Sequence, residues 1–159
     1  MSEPGSPSGL SAFSLAGRTA LVTGGCRGIG EMIATGLLDA GAEVVITARS
    51  ADDLAAAAER LSAHGPCQSV VGDLATTAGC RRLAADVAEQ VDGLDILVNN
   101  AGTTYVGSFE HLPEAGWDEV MAVNVRSVHY LTTALLPLLR RRATPDRPGR
   151  VLILSLIHI

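Results

Sequence analysis

Thr19-Ala20-Leu21-Val22-Thr23-Gly24-Gly25-Cys26-Arg27-Gly28-Ile29-Gly30 is the stretch that decides the fold. A short apolar run, 19–22, reads as a buried strand. Glycines follow at Gly-x-x-x-Gly-x-Gly spacing, and residues 29–40 then carry Ile, Met, Leu and Ala at helical intervals. The order is strand, tight turn, helix. Glycine suits such a turn because the chain reverses sharply, a pyrophosphate must approach the backbone, and the helix must pack closely on the strand. The free N–H groups and positive dipole end of the helix then face an anion. Gly24, Cys26, Arg27, Gly28, Ile29 and Gly30 are therefore candidate dinucleotide contacts. Cys26 is read as a small turn residue, not as a reactive thiol.

Outward from the turn, Gly41 closes the first helix and the β-branched run 43–48 is a second strand. The alternation continues with a helix over 51–63, a strand over 68–71, a helix over 76–91 and a strand over 96–98. One long helix is expected from Trp117 to about Arg142, with Pro137 kinking it or ending its regular part early. A polar loop, 143–149, leads to a fifth strand at 150–155. Five strands alternating with helices predict an α/β fold, a Rossmann-like doubly wound parallel sheet with right-handed crossovers and a ligand site at the carboxyl ends of its strands. The dinucleotide-binding domain is expected over 15–155, behind a flexible tail at 1–14.

Composition agrees. Of 159 residues, 47% are hydrophobic but only 3% aromatic, so the core must be built of Ala, Leu, Val and Ile, as under a helix-covered sheet. A net charge of -5 argues against a nucleic-acid partner. Cys26, Cys67 and Cys80 lack zinc-ribbon or Cys-x-x-Cys spacing, the four histidines stand singly, and no metal site is expected. No stretch approaches the roughly 20 apolar residues that cross a bilayer, and the N-terminus lacks secretory features, so a soluble cytoplasmic protein without a membrane partner is expected.

The coenzyme is chosen at the end of the second strand, where an NAD site usually places a carboxylate on the ribose 2′-hydroxyl. Here the strand ends Thr47-Ala48-Arg49 with no acidic residue. Arg49 and Arg27 can make forked, charge-assisted contacts to a 2′-phosphate, which points to NADPH (NADP+).

By this point the residues resemble the short-chain dehydrogenase/reductase family over nearly the whole chain. The resemblance rests on the Thr-Gly-x-x-x-Gly-Ile-Gly turn at 23–30, Asp73-Leu74 after the third strand, Asn99-Asn100-Ala101-Gly102 after the fourth, and Asn124 in the long helix. It implies that Asp73, with Leu74 beside it, binds the adenine amino group, and that the backbone of Asn100, Ala101 and Gly102 lies against a cofactor ribose. Asn99 is read as structural, joining neighbouring strand ends. Met121-Ala122-Val123-Asn124-Val125 is apolar but for one amide, so Asn124 should be a buried group needing partners. The family resemblance implies that Asn124 holds a water in a proton relay and is the catalytic residue present, with Val123 beside the cofactor.

The resemblance fails at the chemistry. The family's acid is the tyrosine of a Tyr-x-x-x-Lys pair, whose cation lowers the phenol pKa for proton donation. This sequence has no lysine, and its tyrosines, Tyr105 and Tyr130, stand elsewhere. In the register of many members Leu156, not Ser155, occupies the place of the orienting serine, and 156–159 read as a non-native end. The chain is expected to be a C-terminally incomplete member, inactive and marginally stable, with an exposed apolar fifth strand. Residues 13–18, 62–68, Gly116-Trp117 and 135–141 look similar to the 3-oxoacyl-[acyl-carrier-protein] reductases, including the rhamnolipid-pathway type. The implied full-length reaction reduces a 3-oxoacyl thioester, small or carrier-bound, to its 3-hydroxyacyl form. Homo-oligomers are expected of the full-length protein and not of this chain. Arg140, Arg141, Arg142, Arg147 and Arg150 are read either as a dock for an acidic carrier protein or as complements to a helix C-terminus. Rival readings are a reductase of sugars, polyols, steroids or other small carbonyls, and a non-catalytic NADP-binding protein.

Overall fold

A computed structural model of the chain describes residues 13–154; Ser155, 156–159 and most of the expected tail lie outside the described residues. The strand, turn and helix around the glycines become β1 (Thr19–Thr23) and α1 (Gly28–Asp39). There follow β2 (Glu43–Ala48), α2 (Ala51–Ser62), β3 (Cys67–Val71), α3 (Thr77–Gln90), β4 (Ile96–Asn99), α4 (Glu114–Met121), α5 (Ser127–Arg141) and β5 (Arg150–Ile153). All strands pair in parallel, in the order β3-β2-β1-β4-β5. From β1 the chain first builds outward to β3, then returns to build β4 and β5 on the other side. The switch between β1 and β4 opens a crevice at the carboxyl ends of the strands, where ligands of such sheets bind.

Strand side chains alternate between two dry layers. Leu21, Val45, Val70 and Leu97 pack under α3 and α5 with Leu83, Val87, Leu131 and Leu135. Ala20, Val22, Val44, Ile46, Ile96 and Val98 pack under α1 and α2 with Ala34, Leu38, Leu54 and Leu61. Each fully buried leucine contributes roughly 2 kcal/mol of transfer free energy, so the aliphatic composition suffices without aromatics. At the end of α1, Gly41 takes φ +93. The Ala42 N–H then reaches the Leu37 carbonyl at 3.0 Å and the Gly41 N–H the Leu38 carbonyl at 2.8 Å, the bonds of a glycine-terminated helix.

The long helix differs from expectation in three ways. It starts at Glu114, directly after Pro113, three residues before Trp117. It is not uniform: a π-helical turn, Ala122–Arg126, separates α4 from α5. And Pro137 does not end it, since α5 runs on to Arg141. Pro137 denies a donor to the Thr133 carbonyl, but both residues are exposed. Water can take that bond while Leu135, Leu138 and Leu139 anchor the helix on the sheet. At the edge opposite β3, Val151, Leu152 and Ile153 of β5 are exposed, as the sequence leads one to expect.

Candidate functional site

The turn after β1 is pinned from both sides. The Thr47 carbonyl of β2 accepts the Gly24 and Gly25 N–H groups at 2.8 and 3.2 Å. From β4, the Thr23 hydroxyl donates to the Val98 carbonyl at 3.3 Å and accepts the Asn100 and Ala101 N–H groups at 3.0 and 2.9 Å. Asn100 returns the contact, its side-chain amide donating to the Thr23 carbonyl at 2.8 Å and the Gly24 carbonyl at 3.3 Å. A side chain on Gly30 would strike the Gly24 carbonyl and the Asn100 amide, so this glycine is dictated by helix-to-strand contact. Gly24 and Gly28 take φ of +65 and +57. The start of α1 has no side-chain cap, whereas α2 and α3 are capped by Ser50 and Thr76. The first-turn N–H groups of α1 are thus left for an anion.

Above the turn lies a cavity of about 1110 Å³. All the residues singled out in the sequence line it: Gly24, Cys26, Arg27, Gly28, Ile29 and Gly30 from the turn, Arg49 after β2, Asp73 and Leu74 after β3, Asn100, Ala101 and Gly102 after β4, and Val123 and Asn124 from the π turn. Strand order therefore spreads Arg49 and Asp73 to one side of the turn and the β4 segment to the other, with Ile153 and Leu154 beyond it.

Several side chains do more or less than the sequence implies. Cys26 is buried in the α1–α2 layer, so it offers the cavity its backbone and not an open thiol. The N-cap of α3 is Thr76; one Asp73 oxygen accepts the Ala75 N–H at 3.0 Å. Asn99 is structural, but its amide donates to Thr132 Oγ1 of α5 at 3.3 Å and does not join strand ends; a buried amide takes whatever partner its face of the sheet presents. Asp53 also lines the cavity, one turn into α2, so a carboxylate does stand near Arg49. Thr23, Asp53 and Thr103 are among the site residues the sequence reading missed. A β-branched hydroxyl closing a buried strand is the signal for Thr23; the position of Asp53 depends on how α2 leaves the sheet.

Asn124 has both amide functions engaged by one backbone: Oδ1 accepts the Thr103 N–H at 2.8 Å and Nδ2 donates to the Thr103 carbonyl at 2.9 Å. It is half-buried and clamps the chain leaving β4 to the long helix.

The opposite end of the sheet carries the charges. Asp95, buried ahead of β4, receives Arg147 Nε and Nη2 at 2.7 and 2.9 Å, Arg18 Nη1 at 3.0 Å and the Thr19 N–H at 3.0 Å. Burial pushes its carboxyl up, but these donors outweigh it and hold the pKa at about 2. Arg142 reaches Thr19 Oγ1 at 3.2 Å, and Arg141 donates to the Asp92 carbonyl at 2.8 Å. The basic cluster of the sequence is thus largely spent tying the amino ends of the strands together, away from the cavity. Arg140, Arg141 and Arg150 remain exposed at that end.

A profile described as short chain dehydrogenase matches residues 18–155. The chain belongs to the short chain dehydrogenase family. A rhamnolipids biosynthesis 3-oxoacyl-[acyl-carrier-protein] reductase of Pseudomonas aeruginosa is 56% identical over 140 residues, covering 88% of this chain and 55% of the relative. A gluconate 5-dehydrogenase of Gluconobacter oxydans is 36% identical, covering 87% and 53%. Among solved structures, the Pseudomonas aeruginosa RhlG/NADP active-site complex superposes with a TM-score of 0.85 at 57% identity, covering 87% of this chain and 54% of that one. This short chain dehydrogenase spans about half the length of the curated relatives it matches. Among its described residues no helix is long and apolar enough to cross a membrane.

Proposed function

We propose that the intact protein is an NADPH-dependent reductase that converts a 3-oxoacyl thioester, on a carrier protein or a small thiol, to the 3-hydroxyacyl form. The observation that carries this reading is the cavity over the uncapped start of α1, with Arg27 and Arg49 on its wall, in a chain 56% identical to a 3-oxoacyl-[acyl-carrier-protein] reductase. The residues fit a dinucleotide phosphate. Gly24 and Gly28 give the turn its shape, Gly30 lets the helix start reach the strand, and the free N–H groups meet the pyrophosphate. Arg27 and Arg49 supply two cations for a 2′-phosphate, with the Asp53 carboxylate also on the cavity wall. Asp73 has one oxygen uncommitted for an adenine amino group.

When bound, the dinucleotide supplies hydride from its nicotinamide. The chain's own part is to bind, orient and exclude water: Asn100, Ala101 and Gly102 present backbone to the cofactor, and Asn124 holds the neighbouring Thr103 backbone. Asn124 retains the role of supporting a proton-relay water through its backbone, since its amide is already committed. Neither Tyr105 nor Tyr130 is among the residues that line the cavity. Exposed Trp117, Met121 and Val125, four residues apart along the helix, support a homo-oligomer of the intact protein; sedimentation velocity checks it.

Calorimetry on the intact protein tests the coenzyme. NADPH should bind more tightly than NADH, and Arg49→Asp should reverse or erase that preference; no heat with either coenzyme defeats the reading. A sugar or polyol carbonyl is the second reading, favoured by the 36% identity to gluconate 5-dehydrogenase. Turnover of 5-ketogluconate in place of 3-oxoacyl thioesters would establish it.

A further inference from the structure

The π turn between α4 and α5 depends on one residue that the reading above does not use. The Ser127 N–H bonds to the Ala122 carbonyl, five residues back. In an α-helix that donor would serve Val123. The Ser127 hydroxyl takes over, donating to the Val123 carbonyl at 2.5 Å from a buried serine to a partly buried carbonyl. A serine bonding four residues back is ordinary in helices; here the N–H that would normally hold the same carbonyl is spent elsewhere. Ser127 therefore serves two carbonyls, the backbone bond being that of the π turn and the hydroxyl bond taking the carbonyl from which the N–H has turned away.

The turn in turn sets the direction of Asn124. One residue more or less in a helix rotates what lies beyond by roughly 100°. Relaxation of 122–126 to regular α-helix would swing Asn124 relative to α4 or α5. It could not then keep both its bonds to the Thr103 backbone, at 2.8 and 2.9 Å. Thr103, Val123 and Asn124 all line the cavity, as do Ala101 and Gly102 just before Thr103.

We propose that Ser127 is a positioning residue of the coenzyme cleft: its hydroxyl fixes the π turn, and the turn aims Asn124 at Thr103 so that the wall leaving β4 is held in place. Ser127 touches no ligand and acts through Asn124. The consequence for binding rests on the coenzyme reading; the mechanical linkage does not.

Amide hydrogen exchange on the intact protein tests the linkage, with the Leu54 N–H, bonded to Ser50 in α2, as a remote reference. Ser127→Ala should speed exchange at Thr103 by about tenfold or more, because a partly buried carbonyl loses its donor and the clamp opens. Leu54 should be unchanged, and Ser127→Thr, which keeps the hydroxyl, should restore Thr103 to within about twofold. Ser127→Cys, of similar size but a weaker donor, should give an intermediate rise and serves if the alanine variant does not fold. Unchanged exchange at Thr103, or an equal rise at Thr103 and Leu54, overturns the proposal. In parallel, Ser127→Ala should weaken NADPH binding by about tenfold and Ser127→Thr should recover it. A wild-type protein that binds neither coenzyme counts against the coenzyme reading alone, and Thr103 exchange still decides the linkage.

Discussion

Gly28 and Gly30 stand two residues apart in one turn, yet glycine is required at each for a different reason. At Gly28 the space around a Cβ is open but φ is +57. Gly28→Ala should cost only about 1 kcal/mol in urea unfolding, the strain of a left-handed alanine. Gly30 is ordinary helix by its backbone, but a Cβ there meets the Gly24 carbonyl and the Asn100 amide. Gly30→Ala should cost about 2–3 kcal/mol, as overpacking of a tight contact does, and should also abolish coenzyme heat in calorimetry. Equal effects of the two substitutions would show that the turn tolerates α1 moving off β1.

Among elements, β1 and β4 are joined through a side chain as well as by their ladder. Thr23 closes β1, and its hydroxyl serves Val98, Asn100 and Ala101 at once. Thr23→Val keeps the shape and removes the acceptor, leaving the Ala101 N–H unsatisfied at the crevice and the Asn100 N–H with only the Val98 carbonyl at 3.1 Å. A loss of roughly 2 kcal/mol in denaturant unfolding is expected, together with weaker NADPH binding. Thr23→Ser should behave nearly as wild type, because it keeps the hydroxyl. The long helix shows the limit of periodicity as a guide. Apolar residues on either side of 122–126 both read as one helix, since a single added residue shifts the phase by less than the width of an apolar face.

For the whole molecule, Asp95 joins three separate parts of the chain. Its side chain binds Arg18 and Thr19 at the start of β1 and Arg147 in the loop before β5, while its carbonyl accepts the Arg150 N–H at 2.8 Å. The folded pKa of about 2 lies below the ordinary 3.8, so the unfolded chain takes up the proton first. The resulting stabilisation, about 2 kcal/mol, is fully present above about pH 4 and is lost as the pH falls through 2. Urea unfolding at pH 7, 4, 3 and 2 should show this acid loss in the wild type. Asp95→Asn should be less stable by about 2–4 kcal/mol at neutral pH and should lack that part of the acid dependence. Parallel curves for the two proteins would contradict the assignment.

The order of elements, the parallel sheet and the crevice at its carboxyl end were legible in the residues themselves, because a period of two or of 3.6 and a glycine turn are local properties of the chain. So were the cavity residues that follow β1 to β4, since parallel strands bring their carboxyl ends to one side. What only the tertiary structure decided was how the polar groups are shared out: Thr23 serving two strands, Asn124 committed to Thr103, Asp53 entering the cavity, and Arg147 drawn to Asp95. A hydrogen bond or ion pair between distant residues depends on which groups the packed sheet leaves within about 3 Å of each other, and no spacing along the chain encodes that.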